Sequence, residues 1–246
     1  VKSAASMSNW EGLHFGLSVG ANWAQTHTST VVYSTTLALF PPIIPAIDAA
    51  GSNKVKLGGA LIAVQAGYDF AFGDRYVLGI ETDFAFTNLR GSKTTTGIVP
   101  VFNGPFGFDQ RLRADWMWTL RARAGVALFD NVLAYATGGL AATRVGFASD
   151  FGDSFSEYEF YRQNGVRFGW TLGGGLDYAI GRNWTARVEY LHSEFSGLAG
   201  WGSSLLADGS VAWVRHNTSR MAIDTVRVGL NYRFNAAPSA VVAAKY

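Results

Sequence analysis

Three groups of residues carry side chains that could do covalent or metal chemistry, and the spacing of each decides against it. Gly16-Leu17-Ser18-Val19-Gly20 matches the G-x-S-x-G pattern of a nucleophile elbow, which needs a sharp strand-to-helix turn to lift the serine out of the fold. Here the pentapeptide lies inside a run of alternating apolar and polar residues, Trp10 to Trp23, so its serine is expected on the face of a strand. His192, Ser193 and Glu194 are the residue types of a hydrolytic triad, but adjacent strand residues point to opposite faces, so His192 and Ser193 could meet only across a bulge. His14, His27, His192 and His216 have no metal-ligand spacing. The chain is read as a non-enzyme with no metal site and no cofactor.

A further set could do electrostatic chemistry. Asp69, Glu81, Asp83, Asp115, Arg121, Arg123, Arg144, Arg167, Asp177, Arg187, Glu189 and Arg227 fall at polar positions of alternating segments. Buried charges persist when paired and hydrogen-bonded, so this set predicts an interior ion-pair network. Lining a narrow conduit for small solutes is the competing use, because inward glycines (Gly16, Gly20, Gly67, Gly79, Gly125, Gly173, Gly229) would leave room for water.

Two-faced strands are the elements that must position these charges. In Thr225 to Phe234, Val226, Val228, Leu230, Tyr232 and Phe234 share one face, and Thr225, Arg227, Gly229, Asn231 and Arg233 share the other. The same pattern begins near Trp10, Ala60, Tyr76, Asp115, Val132, Arg167 and Trp184, which makes eight runs. Short turns at Gly73 to Arg75, Phe129 to Asn131 and Gly181 to Asn183 alternate with long stretches read as irregular loops. These loops are the proline-bearing segment around Phe40 to Ile47, Asn88 to Gln110, an acidic segment with Asp150, Asp153, Glu157 and Glu159, and Phe195 to Arg220. The fifth run has small residues on both faces; Arg144 is assigned inward, and Tyr135, Val145 and Phe147 outward.

Composition says which solvent each face meets. Only 15% of residues are charged, against about a quarter in an ordinary globular chain. All five lysines (Lys2, Lys54, Lys56, Lys93, Lys245) lie in termini or between the runs. A soluble barrel would carry Lys and Glu on its wet face, whereas here the polar face is Gly, Ala, Ser, Thr and Asn with spaced charges, as in a crowded interior. A net charge of +2 without a basic run excludes nucleic acid as a partner. No segment approaches the 18 or more apolar residues of a membrane helix. An even number of tilted antiparallel strands, with short turns at one end and long loops at the other, is the plan of an outer-membrane barrel. Closure is forced, because an open sheet edge in hydrocarbon strands unpaired N–H and C=O groups.

The fold class expected is therefore an all-β, eight-stranded antiparallel up-and-down transmembrane barrel in the bacterial outer membrane. Residues 10–234 form the barrel, 1–9 a periplasmic N-terminal segment and 235–246 a periplasmic tail. Outward aromatics sort into two girdles, Tyr76, Trp184, Tyr232 and Phe234 near the turns and Trp23, Phe84, Trp116, Trp118 and Trp170 near the loops. The spacing from Tyr76 to Phe84, roughly 20 Å, is close to the apolar band of such barrels. The loops are more apolar than solvated loops should be, so Phe40, Ile43, Ile44, Phe106, Trp201 and Leu205 are candidates for contact with a surface partner or a second copy of the chain. Packing of the loops on one another as a cap is the alternative.

The segments GGALIAVQAGYDF, RYVLGIETDFAF, WTLRARAGVAL, AYATGGLAA, FGWTLGGGLDYAI, NWTARVEYLH and VRVGLNYRF resemble, in this order, the small porin-like, OmpA-type eight-stranded barrels of alphaproteobacterial outer membranes. That family includes surface antigens and haem-binding proteins. The resemblance covers Trp10 to Phe234. It implies outer-membrane lipid and lipopolysaccharide as surroundings, the barrel-assembly machinery as a partner in biogenesis, and a structural or surface-contact role. Haem binding by His27 or His216 would follow only by analogy with family members. The chain departs from the family pattern in continuing past the terminal aromatic Phe234 and in its long apolar first loop.

Overall fold

The computed structural model describes residues 10–37, 40–181 and 183–234; the expected periplasmic segments 1–9 and 235–246 lie outside them. Its elements are β1 (Gly12–Tyr33), α1 (Ile43–Gly51), β2 (Lys54–Phe72), β3 (Tyr76–Val99), β4 (Gly104–Phe129), β5 (Val132–Asp153), β6 (Tyr158–Ala179), β7 (Trp184–Phe195), β8 (Ala199–Leu205), β9 (Val211–Thr218) and β10 (Met221–Phe234). Neighbouring strands are antiparallel throughout, and β10 pairs back onto β1 from Leu13↔Phe234 to Gln25↔Ala222. The ring therefore closes, and no ladder edge faces lipid.

Ten strands make eight staves. β7 and β8 are one stave broken at Ser196 to Leu198, and β9 and β10 one broken at Ser219 and Arg220. Beyond the break β1 exchanges β10 for β9, from Thr28↔Thr218 to Tyr33↔Trp213. On the other side Gln163 Nε2 donates to the Ala199 carbonyl (3.0 Å) and Ser204 Oγ to that of Tyr158 (3.2 Å), which ties β8 to β6.

The staves are far longer than a membrane needs. β4 has 26 residues, on the order of 60 Å along the axis of a tilted barrel, against an apolar band of about 25 Å. Most of the stretches expected to be irregular loops are thus strand. β3 and β4 run on together to a tip at Pro100 to Asn103, and β5 and β6 to a tip at Ser154 to Glu157. The proline-bearing first loop contains α1, which buries Ile43 and Ile47 one turn apart and whose Asp48 accepts the Val32 amide (2.8 Å). Together these extensions form an extracellular hood. At the other end the turns stay tight, with Gly73 at φ +59, a conformation that favours glycine.

The chemistry of the two faces inverts between membrane and hood. Along β2 the inward side reads Asp69, Gly67 and Gln65 and then Ala63, Leu61, Leu57 and Val55, while the outward side passes from Phe70 and Val64 to Lys56 and Lys54. In β4 a bulge between Ala114 and Met117 shifts the register, so that inward positions change from odd (Arg123, Arg121, Thr119, Met117) to even (Ala114, Leu112, Gln110, Phe108). Lipid around the lower half demands an apolar exterior; water around the hood demands a polar one.

Candidate functional site

The lower lumen holds five guanidinium groups and five carboxylates, all buried: Arg121, Arg123, Arg187, Arg227 and Arg233 with Asp69, Glu81, Asp83, Asp177 and Glu189. β4 supplies two of the arginines at a spacing of two, and β3 sets Glu81 opposite Arg121 and Asp83 opposite Thr119. Arg121 donates to Glu81 (2.6 Å), Asp83 (2.8 Å) and Glu189 (3.0 Å). Arg187 joins Glu81 (2.6 Å) to Asp177 (2.8 Å), and Arg227 joins Glu189 (2.6 Å) to Asp83 (3.1 Å). Arg123 donates to Asp177 (2.8 Å) and Arg233 to Asp69 (3.0 Å). Equal numbers of opposite charges, cross-linked from six strands, meet the condition under which buried ions are tolerated.

Three assignments made from the sequence change. Arg144 is exposed on the outer face of β5, and Tyr135, Val145 and Phe147 point inward and are buried; a strand of Ala, Thr and Gly carries no contrast between its faces. Tyr135 then serves the network, its Oη donating to Glu189 (2.8 Å) with the Arg123 guanidinium 4.1 Å from its ring centroid. Asp115 is turned out by the β4 bulge to stand 3.8 Å from Arg113. Arg167 faces inward but is only partly buried and forms no ion pair among the described residues. Sequence reasoning left out His14, which is fully buried 3.1 Å from Glu81 and 3.6 Å from Asp69, and Arg233. Both already stood at polar positions of their runs, and their periodicity was the available signal.

The lumen is filled above and below this layer. Trp10, Val77 and Leu133 pack together at the turn end, where Arg233 also donates to the Trp10 carbonyl (2.7 Å). Above the charges lies an apolar layer that includes Leu57, Leu89, Met117, Phe147, Phe195 and Ile223, and a second apolar cluster of Val32, Ile43, Ile47, Phe106, Phe108 and Phe151 closes the hood. The space beside the inward glycines is occupied. A Cβ on Gly16 would lie 1.8 Å from Asn231 Oδ1, and one on Gly79 2.1 Å from Asp69 Oδ1, so neighbouring side chains already occupy that space.

The girdle residues Trp23, Tyr76, Phe84, Trp116, Trp118, Trp170, Trp184, Tyr232 and Phe234 all lie on the outer face and are partly or largely exposed. Of the six contact candidates, Ile43 and Phe106 are buried, and Phe40 and Ile44 pack against the same cluster, so these four belong to the cap. Trp201 and Leu205 remain exposed on β8.

The hydrolytic constellations do not assemble. Ser18 is buried and donates to Gln65 (2.6 Å). Ser193 faces inward to Thr171 (2.9 Å), whereas His192 faces outward to Asp224 (2.8 Å). His27 and His216 lie in β1 and β9; His216 is buried, 3.0 Å from Glu159 and stacked on Tyr161, so its imidazole is already engaged.

A closed ring with aromatic bands, an apolar outer belt and an ion-paired lumen defines a bacterial outer-membrane β-barrel. Residues 1–234 match the family model described as the outer membrane protein beta-barrel domain, and the chain belongs to that family. It is 37% identical over 187 residues to the 31 kDa outer-membrane immunogenic protein of Brucella melitensis, which covers 75% of this chain and 70% of that one. It is 25% identical over 236 residues to the 25 kDa outer-membrane immunogenic protein of Brucella abortus, covering 94% and 82%. Among solved structures, OprG of Pseudomonas aeruginosa aligns with a TM-score of 0.49 at 14% identity, over 93% of this chain and 99% of that one.

Proposed function

We propose that this protein is a sealed structural barrel that anchors a rigid surface hood, serving envelope integrity and surface contact rather than passage of solutes. The observation that carries this reading is the filled lumen: an apolar seal at Trp10, a neutral ion-pair layer and two apolar layers above it. An eight-stranded barrel has an interior just wide enough for side chains to fill, so solutes would have to displace the ion pairs. The immunogenic relatives fit a surface-displayed protein. Exposed Trp201 and Leu205 are the residues through which the hood would meet a partner or a second copy. The barrel-assembly machinery would insert the chain.

Planar-bilayer recording of the pure protein tests this. The expected result is a quiet baseline, and steady single-channel steps would replace the sealed reading with a narrow porin. An apolar ligand at the hood tip has little room, because the cavity beside Leu37, Phe40, Ile43, Phe102 and Phe155 holds about 220 Å³, below the range of about 300–1,000 Å³ usual for small-molecule sites.

A further inference from the structure

On the outer wall of the hood, just beyond the aromatic girdle, four adjacent strands form a basic groove of about 570 Å³. Its lining includes Arg90 from β3, Arg111 and Arg113 from β4, and Arg162 from β6, with Gly146 and Ala148 from β5 between them and no carboxylate. The register explains the shape. Arg90 pairs with Arg113, which pairs with Gly146, which pairs with Asn164; one step higher, Ser92, Arg111, Ala148 and Arg162 form a second row. The upper row sets arginines on both sides of Ala148, and in the lower row the bare Gly146 lets the Arg113 side chain lie across it toward Asn164 (3.4 Å), so the fifth strand becomes a low floor between the β4 arginines and β6.

The charges are accessible and only partly neutralised. Arg111, Arg113 and Arg162 have half-exposed side chains. At the rim Asp150 and Asp109 engage Arg162 and Arg111, and Asp115 stands 3.8 Å from Arg113. Arg90 has no ion pair among the described residues, and Arg144, two residues from Gly146 along β5, adds a further exposed cation. Height supplies the second, independent observation. Phe86 pairs with Trp116 in the girdle, and Arg90 with Arg113 lies four residues above Phe86, on the order of 10 Å along the barrel axis. That is the level of lipid headgroups, where an arginine fork meets phosphate in bidentate, charge-assisted hydrogen bonds.

We infer that this groove is a binding site for the phosphorylated sugar headgroup of an outer-leaflet glycolipid. Arg90, Arg111 and Arg113 on one side of the shallow floor and Arg162 on the other suit a ligand with more than one phosphate on a flat sugar frame, and the girdle below receives its acyl chains. The site lies outside the lumen, so it stands or falls separately from the sealed-barrel reading.

The experiment uses the folded full chain in detergent micelles, titrated with diphosphoryl lipid A, dephosphorylated lipid A and inorganic phosphate. Native mass spectrometry counts bound lipid, and thermophoresis gives Kd. Diphosphoryl lipid A is expected to bind saturably and in a salt-sensitive way, with the dephosphorylated lipid at least about tenfold weaker. The double variant R90Q/R113Q should lose a similar factor. Ala148→Trp fills the floor without changing charge and should weaken binding as much, whereas Arg215→Gln, on β9, should bind as the parent does. Heat-modifiable migration on gels checks that each variant is folded, and the lipid comparison needs no variant at all. Equal binding of both lipids, or undiminished binding by Ala148→Trp, would overturn the site; competition by inorganic phosphate at micromolar concentration would assign the groove to a free anion instead.

Discussion

Each carboxylate of the lower lumen except Asp69 bonds at least two arginines or an arginine and a hydroxyl, and the cost of deleting a member follows from what is left behind. Arg121→Ala would take one donor from each of Glu81, Asp83 and Glu189 and leave the buried layer one positive charge short. The expected loss is about 3–5 kcal/mol, read as a lower urea midpoint in micelles; a change under about 1 kcal/mol would mean that water reaches and solvates the layer. At the hood tip, burial raises the Glu157 carboxyl above its usual range against a lowering hydrogen bond from the Ala207 amide, and Asp153 and Asp208 push it further up. The folded state therefore holds this proton more tightly than the unfolded one. Its contribution favours the folded tip below the ordinary glutamate value and fades as pH rises through the raised one. Intrinsic-rate-corrected hydrogen exchange at Leu206 to Ser210 should be slower near about pH 4 than near about pH 7, and Glu157→Gln should flatten the difference.

At the scale of the strand, opposite faces obey opposite rules. Val228 on β10 is half-exposed at mid-belt, and Val228→Arg should cost roughly 2 to 4 kcal/mol in lipid. Asn231, inward on the same strand, accepts from Gln65 (2.6 Å), so Asn231→Ser should cost about 1 kcal/mol. Equal cost at both positions, measured by denaturant titration in vesicles, would refute this facing. The membrane halves of the strands are legible because lipid and packed interior impose strong contrast on alternate residues. Beyond the girdle legibility falls. Lys93-Thr94-Thr95-Thr96 has no apolar face, yet it is strand because β4 pairs with it from Gln110 to Gly107. The β4 bulge that turns Asp115 outward depends on the count of residues opposite β3 and β5, which no single strand reveals.

For the whole molecule, membrane belt and hood are two solvation regimes in one continuous sheet, and they should fail separately. Ile43 is buried in the upper apolar cluster, so Ile43→Asp places an unpaired charge there at a cost of several kcal/mol. The expected outcome is new protease cleavage in the hood of intact cells while the purified barrel keeps its heat-modifiable migration. Loss of both together would make hood and belt one cooperative unit. The sequence by itself determined the all-β class, the eight staves, the membrane belt with its girdles and most members of the charge layer, because alternation against lipid is a local signal. Only the tertiary structure decided that the apparent loops are strand, that Ile43 and Phe106 cap the barrel, that β5 turns Tyr135 inward, and that four arginines from three strands share one groove. Those outcomes depend on register and on partners distant in sequence, and no periodicity within a segment encodes either.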